Sequence, residues 1–580
     1  MSEKPWFGPR WPENVAHEVS GFKKPLHSLL EESAAKYPDN TYTIFQGAER
    51  TFSRVNDTAN RLANFLAARD IKKGDRVAIF LPNIPHYPEV FFGTLKAGAV
   101  CVTCNPLYNA EELNFQLRDS GARAVFVMDH PQFYPTAVEA IKDTHVDTVV
   151  ICNVKSYLPS LKGLLGGLLG KIPKAERHEP GHFLFDQVVK GHGPTPPKIE
   201  IDPVKDVAVL IYTGGTTGLP KGAMLTHSNM VSNVLEIDEW IRLEHAPGEP
   251  LKRMIRGGFH SYLGVLPWYH SFGLTVCMLS SCYTGSRLVC IPDPRAGNPP
   301  FTDVLRSVER YKITTFVGVP TIYSAMVNHP LIDKIELSSI IACGSGAAPL
   351  PVEVIKQFEA KTGAVIFEGY GLTETSPVVT LNPTNRNQRK IGSVGPPLPS
   401  TDVKILDVAT GNQELAQGQD GEIAVSGPQV MLGYWDRADT NKEVFKEIEG
   451  KRYLLTGDIG HLDEDGFLVI TDRKKDLILV GGFNVYPREV EEILYKHPKV
   501  ELAAVIGVPD PKKGEAVKAF IQLKKGEEAT EEEFIDFCRE RIAGYKRPKY
   551  IEFRKTLPTS VVGKVLRRVL RDEELKKSHK

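Results

Sequence analysis

Hydrophobic and polar positions in the first 150 residues alternate between two periods. In FKKPLHSLLEESAAKYP and SRVNDTANRLANFLAARD apolar residues recur at helical spacing. DRVAIFLPN, ARAVFVMDH and VDTVVICNV are short β-rich runs ended by Pro, Asp or Asn. Helices and strands trading places in this way predict α/β layers around a largely parallel sheet. From about 155 to 185 the pattern lapses into a Leu/Gly/Lys segment, SYLPSLKGLLGGLLGKIPKAERHEPGH, and alternation then resumes with DVAVLIYT, RLVCIPDP, ITTFVGVP and AVIFEGYG.

Past about residue 390 the texture changes to short strands with turn signals (VKILDVATGNQ, GEIAVSG, FLVITD), which predicts a β-rich subdomain over about 390–472. After Asp472 come a strand, a turn, a helix and a strand in quick succession. Pro487 stands where that helix can begin, with Glu489, Glu491 and Glu492 in its first turns. The chain therefore divides into a large N-terminal domain, 1–472, and a small α+β C-terminal domain, 473–580, long enough to fold as a unit.

Composition narrows the function. The chain has 71 Lys+Arg against 71 Asp+Glu in 580 residues. A protein held to nucleic acid by its backbone normally carries a basic excess, so that partner is disfavoured. The eight cysteines are scattered; Cys101 and Cys104 form a CxxC, but in the valine-rich GAVCVTCNPLY they read as small buried apolar residues. The first residues hold no apolar core for a signal peptide, and no apolar run approaches the roughly 18 residues of a membrane span. A reduced, cytoplasmic, multidomain protein is expected.

The most informative segment is YTGGTTGLPKG, Tyr212 to Gly222, directly after the buried-strand pattern DVAVLI. Its glycines let backbone N–H groups point inward, its threonines add donors and its lysine adds positive charge, as a phosphate cradle requires. It is not a Walker loop, because Lys221 follows Pro220 and Gly222 replaces the metal-binding Ser/Thr.

YTGGTTGLPKG resembles the signature loop of the adenylate-forming superfamily. Its companions follow in order: PWYHSFG (Pro267 to Gly273), GSGAAPL (Gly344 to Leu350), EGYGLTET (Glu368 to Thr375), GEIAVSGPQVMLGYW, TGD (Thr456 to Asp458), DRKKDLILVGGFNVYPREVE and LPTSVVGKVLRR. Nearly the whole chain is covered. Within the superfamily it is most similar to bacterial long-chain fatty acid–CoA ligases. One departure is GKRYLL (Gly450 to Leu455), where Asn-Gly-Trp usually precedes TGD.

The resemblance implies a reaction with ATP, Mg²⁺, a fatty acid and coenzyme A, and a role for each matching residue. Thr213, Gly214, Gly215, Thr216, Thr217 and Lys221 hold the leaving diphosphate. Tyr370 stacks on adenine, in a wall made with Gly346, Ala347, Glu368 and Gly369. Thr373 donates to the α-phosphate, Glu374 ligates Mg²⁺, and Asp458 with Arg473 takes the ribose. His270 sits beside the reacting carboxylate. Lys564 neutralises the meeting of carboxylate and phosphate. A mobile C-terminal domain then swings about Lys475 and presents Gly481 and Gly482 as a slot for coenzyme A. The resemblance is compatible with a homodimer.

Rival signals have plainer explanations. HEPGH (His178 to His182) matches a zinc-peptidase pattern, but Pro180 and Gly181 break the helix it needs. LPSLKGLLGGLLGKIPK, 158–174, has leucines and lysines suited to peripheral membrane contact at the inner face, or to a packed surface excursion. Trp240 reads as a core or surface aromatic sooner than as part of the acyl tunnel. Chain length is not legible, so a medium-chain or aryl carboxylate ligase is the nearest alternative. Carrier-protein loading and a luciferase-like oxidative step rank lower. From another class, the rival is a membrane-associated lipid-binding protein that has lost catalysis.

Overall fold

The computed structural model describes residues 4–168, 172–213, 219–241, 260–481, 483–559 and 565–578. Among these, two eight-stranded sheets form the body of the molecule. The first runs, in spatial order, Val378–Leu381, Val365–Gly371, Ala342–Ser345, Thr315–Gly318, Ser261–Gly264, Arg287–Cys290, Thr41–Phe45 and Ala48–Thr51. The second runs Gly433–Tyr434, Lys221–Thr226, Val207–Thr213, Val100–Thr103, Arg76–Phe80, Ala122–Met128, Thr148–Cys152 and Phe183–Leu184.

Pairing is parallel through the interior of both sheets, as the alternation of helix and strand requires. Three edges are antiparallel: Ala48–Thr51 and Val378–Leu381 on the first sheet, and on the second Gly433–Tyr434 on Lys221–Thr226, whereas Phe183–Leu184 closes the second sheet in parallel. Those edges were not expected from the sequence. One apolar core spans both sheets, and Asn83 stitches them together. Its amide donates to the Gly264 and Leu266 carbonyls at 2.9 and 2.8 Å and accepts from the Trp268 N–H at 3.0 Å.

The β-rich subdomain is a sheet ordered Asp402–Leu406, Gly421–Ser426, Lys451–Leu462 and Phe445–Ile448, with Leu468–Arg473 paired to the long strand Lys451–Leu462. Its local departure GKRYLL is a tight hairpin. Ile448 pairs with Lys451, and the two turn residues, Glu449 (φ 52°) and Gly450 (φ 75°), are both left-handed, as a two-residue hairpin turn demands.

Beyond Arg473 a separate apolar cluster gathers Ile478, Val505, Ile521, Phe534 and Ile551. There Phe483–Val485, Ile478–Val480, Gly514–Leu523 and Val500–Asp510 form an antiparallel sheet. The helix Pro487–Tyr495 starts on Pro487, as its sequence predicts.

The rival signals resolve as packing. His178 and His182 lie in no helix; they bond separately to Asp129 (3.0 Å) and to the Tyr134 hydroxyl (2.7 Å). Cys101 and Cys104 are buried thiols. Trp240 is buried, edge-on to Trp11, and donates to the Asn382 carbonyl at 3.2 Å.

One buried acid makes folding pH-dependent. Glu236, on the helix His227–Trp240, is fully buried, and burial pushes its carboxyl up to about 8 against a bond from the Asn233 amide at 2.9 Å. The folded chain thus keeps a proton that the unfolded chain releases above its ordinary carboxylate value, so stability falls as pH rises towards 8. Glu236→Gln removes this term. Between pH 6 and 8.5 the variant should gain on the parent by roughly 2–3 kcal/mol, at about 1.4 kcal/mol per pH unit. Thermal unfolding of both proteins across that range measures it; a pH-independent difference contradicts the assignment.

Candidate active site

The site lies where strands of the first sheet end. Ala342–Ser345 and Val365–Gly371 run parallel as neighbours, with Ser345 opposite Glu368. Gly346 and Ala347 therefore leave the sheet beside Gly369 and Tyr370, at the carboxyl ends where α/β sheets place their ligands. A Cβ on Gly346 would lie 3.2 Å from the Phe272 ring, a contact tight enough that the ring would have to shift to admit it. Ala347 holds a left-handed φ of 68°. The Glu368 carboxylate accepts the Leu350 N–H at 3.0 Å, and burial holds its carboxyl above the ordinary value.

Immediately downstream the chain folds back on itself. A Cβ on Gly371 would meet the Pro377 carbonyl oxygen at 1.9 Å, so only glycine permits the close return. That return leads into the short turn Thr373–Thr375, which carries Thr373 and Glu374. PWYHSFG meets it from the other side: the Ser271 and Thr373 hydroxyls are 3.3 Å apart. His270 precedes the helical turn Gly273–Leu279, accepts the Phe272 N–H at Nδ1 (3.3 Å), and is held below its ordinary value by burial. It is neutral at pH 7 and can serve as a hydrogen-bond partner without adding charge.

The β-rich subdomain supplies the third wall. Asp458 and Arg473 are directly opposite on paired strands. Arg473 Nε lies 3.0 Å from Asp458 Oδ1, and the Tyr370 hydroxyl donates to Asp458 Oδ2 at 2.7 Å. Burial and the Asp458 carboxylate push the Tyr370 phenol well up, so it remains a donor. Asp458 itself is only 4% exposed. A buried acid, a planar cation and an aromatic ring thus share one corner, which suits a sugar hydroxyl pair and a flat base.

On the second sheet, Thr213 and Lys221 are paired opposite each other on the antiparallel strands Val207–Thr213 and Lys221–Thr226. The Lys221 ammonium lies 3.4 Å from the Thr440 hydroxyl and 5.5 Å from the centre of the Tyr434 ring. This strand pair is braced by Asp119, which accepts from the Tyr212 hydroxyl (2.7 Å) and from Arg437 (2.5 Å).

The remaining expectations divide. Lys475 sits in the turn between Leu468–Arg473 and Ile478–Val480, and Gly481 in the next turn with φ 60° and nothing within 4 Å of an added Cβ. Gly214, Gly215, Thr216, Thr217, Gly482 and Lys564 lie outside the described residues. Around Lys475, Arg567 of the last helix bonds Asp472 (3.1 Å), Asp476 (3.0 Å) and Glu491 (2.5 Å). Sequence reasoning gave no role to Asp119, Arg437, Thr440, Tyr434 or Arg567. Tyr434 belongs to the motif GPQVMLGYW, which was a signal without an assigned chemistry.

Residues 30–435 match the AMP-binding enzyme family, and residues 489–564 match the AMP-binding enzyme C-terminal domain. A long-chain-fatty-acid–CoA ligase of Bacillus subtilis (strain 168) is 42% identical over 593 residues, covering 100% of both chains. A long-chain-fatty-acid–CoA ligase of Escherichia coli O157:H7 is 38% identical over 577 residues, covering 98% of each. Among solved structures, an anthranilate CoA ligase in complex with anthranoyl-AMP superposes with TM-score 0.81 at 26% identity, covering 97% of this chain and 99% of that one.

Proposed function

This chain belongs to the AMP-binding enzyme family, and from that premise we propose that it is an ATP-dependent ligase joining a long-chain fatty acid to coenzyme A. In the first step a carboxylate oxygen attacks the α-phosphorus of ATP and the bond to diphosphate breaks, giving an acyl-adenylate. In the second the thiol sulfur attacks the acyl carbon and AMP leaves. The observation that carries the reading is the Asp458–Arg473–Tyr370 corner, whose Tyr370 lies on the strand that leads directly to Thr373 and Glu374. Full-length likeness to long-chain ligases supports the substrate class.

In this reading adenine stacks on Tyr370 against Gly346, Ala347, Glu368 and Gly369, and the ribose hydroxyls donate to Asp458 and accept from Arg473. Thr373 donates to the α-phosphate, and His270 orients the incoming carboxylate. Thr213, Gly214, Gly215, Thr216, Thr217 and Lys221 retain the diphosphate. Glu374 is a hard oxygen donor, and among the described residues it belongs to no cluster of three or more metal-ligating side chains. That suits Mg²⁺, which takes one or two carboxylates and completes its shell with phosphate and water. When bound, the ion supplies positive charge to the polyphosphate.

We assign the domains as 1–472, with the β-rich part about 390–472, and 473–580. Lys564 acts in the first step; rotation about Lys475 withdraws it and brings Gly481 and Gly482 to the thiol. The separate apolar cluster beyond Arg473 supports a unit able to turn as one body. No helix among the described residues is long and apolar enough to cross a membrane. Peripheral contact through 158–174 is supported by the exposed Leu165 on the helix Ser160–Leu168.

Exchange of labelled diphosphate into ATP, measured with acids from butyrate to stearate and with benzoate, tests this function. The largest kcat/KM is expected with the long-chain acids. A preference for benzoate or short acids overturns the substrate class, and no exchange with any carboxylate overturns the enzyme.

A further inference from the structure

The geometry points to Tyr434 as a positioning residue that orients both the Mg²⁺-binding carboxylate of Glu374 and the ammonium of Lys221. It rests on the ligase reading and adds to it one residue serving two subsites. The Tyr434 hydroxyl donates to Glu374 Oε1 at 2.6 Å, while its ring lies 5.5 Å beneath the Lys221 ammonium. A cation this close to an aromatic face is attracted by the ring's quadrupole. One side chain therefore contacts a group on the turn Thr373–Thr375 and another on the strand Lys221–Thr226.

Four features make Tyr434 a fixed support. Its strand, Gly433–Tyr434, pairs antiparallel with Lys221–Thr226, so Tyr434 faces Ala223. Asn441 clamps its backbone in both senses, accepting its N–H at 2.7 Å and donating to its carbonyl at 2.9 Å. A Cβ on Gly433 would lie 2.9 Å from the Asn441 amide, so glycine is needed for this clamp to close. The same segment also holds the backbone of Glu374, through the Met431 N–H at 2.9 Å from its carbonyl.

The chemistry follows from this geometry. The phenolic O–H is the donor and the carboxylate oxygen the acceptor, so the bond runs from Tyr434 to Glu374. A carboxylate has about four lone-pair sites, so one such bond fixes its plane without exhausting it. Partners of this kind around a metal ligand are typically worth 10–100-fold in metal affinity. Loss of the hydroxyl should therefore be felt by the metal, and loss of the ring by Lys221 as well.

The test uses Mn²⁺ as a paramagnetic stand-in for Mg²⁺ and the non-cleavable α,β-methylene analogue of ATP, with bound Mn²⁺ read by electron paramagnetic resonance. Tyr434→Phe should weaken Mn²⁺ in the ternary complex by about 10–100-fold and leave the metal-free affinity for the analogue unchanged. Tyr434→Leu should lose that affinity in addition. Asn441→Ala, which loosens Tyr434 without touching Glu374, should weaken Mn²⁺ several-fold and guards against a misfolded Tyr434 variant. Placed on Glu374→Gln, Tyr434→Phe should cost nothing further. Parental Mn²⁺ affinity in both Tyr434→Phe and Asn441→Ala overturns the inference alone. A parent protein that takes up neither Mn²⁺ nor the analogue overturns the ligase reading with it.

Discussion

The Lys564→Ala variant is expected to lose acyl-adenylate formation by about 10²–10³-fold, the usual effect of removing one fixed group that stabilises developing charge. The same variant should convert supplied acyl-adenylate and coenzyme A to thioester at close to the parental rate. The asymmetry comes from electrostatics. In the first step a carboxylate approaches a phosphate, and negative charge accumulates on the oxygens between them; an ammonium there lowers the barrier without any proton transfer. In the second step a thiol attacks an anhydride already formed, and the same ammonium would stand in the way. Single-turnover measurement of each half separates the two. Equal loss in both contradicts the proposed rotation about Lys475.

Asp458→Ala should be nearly as damaging, for a different reason. Asp458 is buried, paired with Arg473 at 3.0 Å and bonded by the Tyr370 hydroxyl at 2.7 Å. Removing it takes away the proposed acceptor for two sugar hydroxyls and leaves Arg473 and Tyr370 without their shared partner. Two hydrogen bonds to a charged group are together worth about 3–6 kcal/mol, so kcat/KM for ATP should fall by about 10²–10⁴. The parent should discriminate against 2′-deoxy-ATP and 3′-deoxy-ATP, and the variant should not. If both deoxynucleotides serve the parent as well as ATP, Asp458 does not hold the ribose.

Local pattern made much of the frame legible in advance. The runs DVAVLIYT and AVIFEGYG are the strands Val207–Thr213 and Val365–Gly371, and Pro487 opens its helix, because burial period and turn chemistry act within a few residues. What escaped was pairing at long range. The edge strand Gly433–Tyr434 has two residues and no period of its own; it exists because Lys221–Thr226, some two hundred residues earlier, offers it an edge. Tyr434 could not be linked to Glu374 or Lys221 without that pairing.

Corner residues show the same division. Asp458 and Arg473 were named from their motifs, yet only the register of two antiparallel strands puts them face to face. Asp119 and Arg437, which brace the strand that leads into the glycine-threonine segment, come from segments with no motif at all. HEPGH shows the opposite case, a literal pattern whose histidines serve Asp129 and Tyr134 instead. A motif is informative where the backbone around it can adopt the shape its chemistry needs.

The most direct test of the central claim, that this site joins a fatty acid carboxylate to the α-phosphorus of ATP, follows oxygen. Palmitate labelled with ¹⁸O in both carboxyl oxygens is incubated with ATP, Mg²⁺, coenzyme A and the protein, and the nucleotide and phosphate products are analysed by mass spectrometry. One labelled oxygen should appear in AMP and none in diphosphate. Label in orthophosphate with ADP as co-product, or unlabelled AMP beside newly made thioester, contradicts the account.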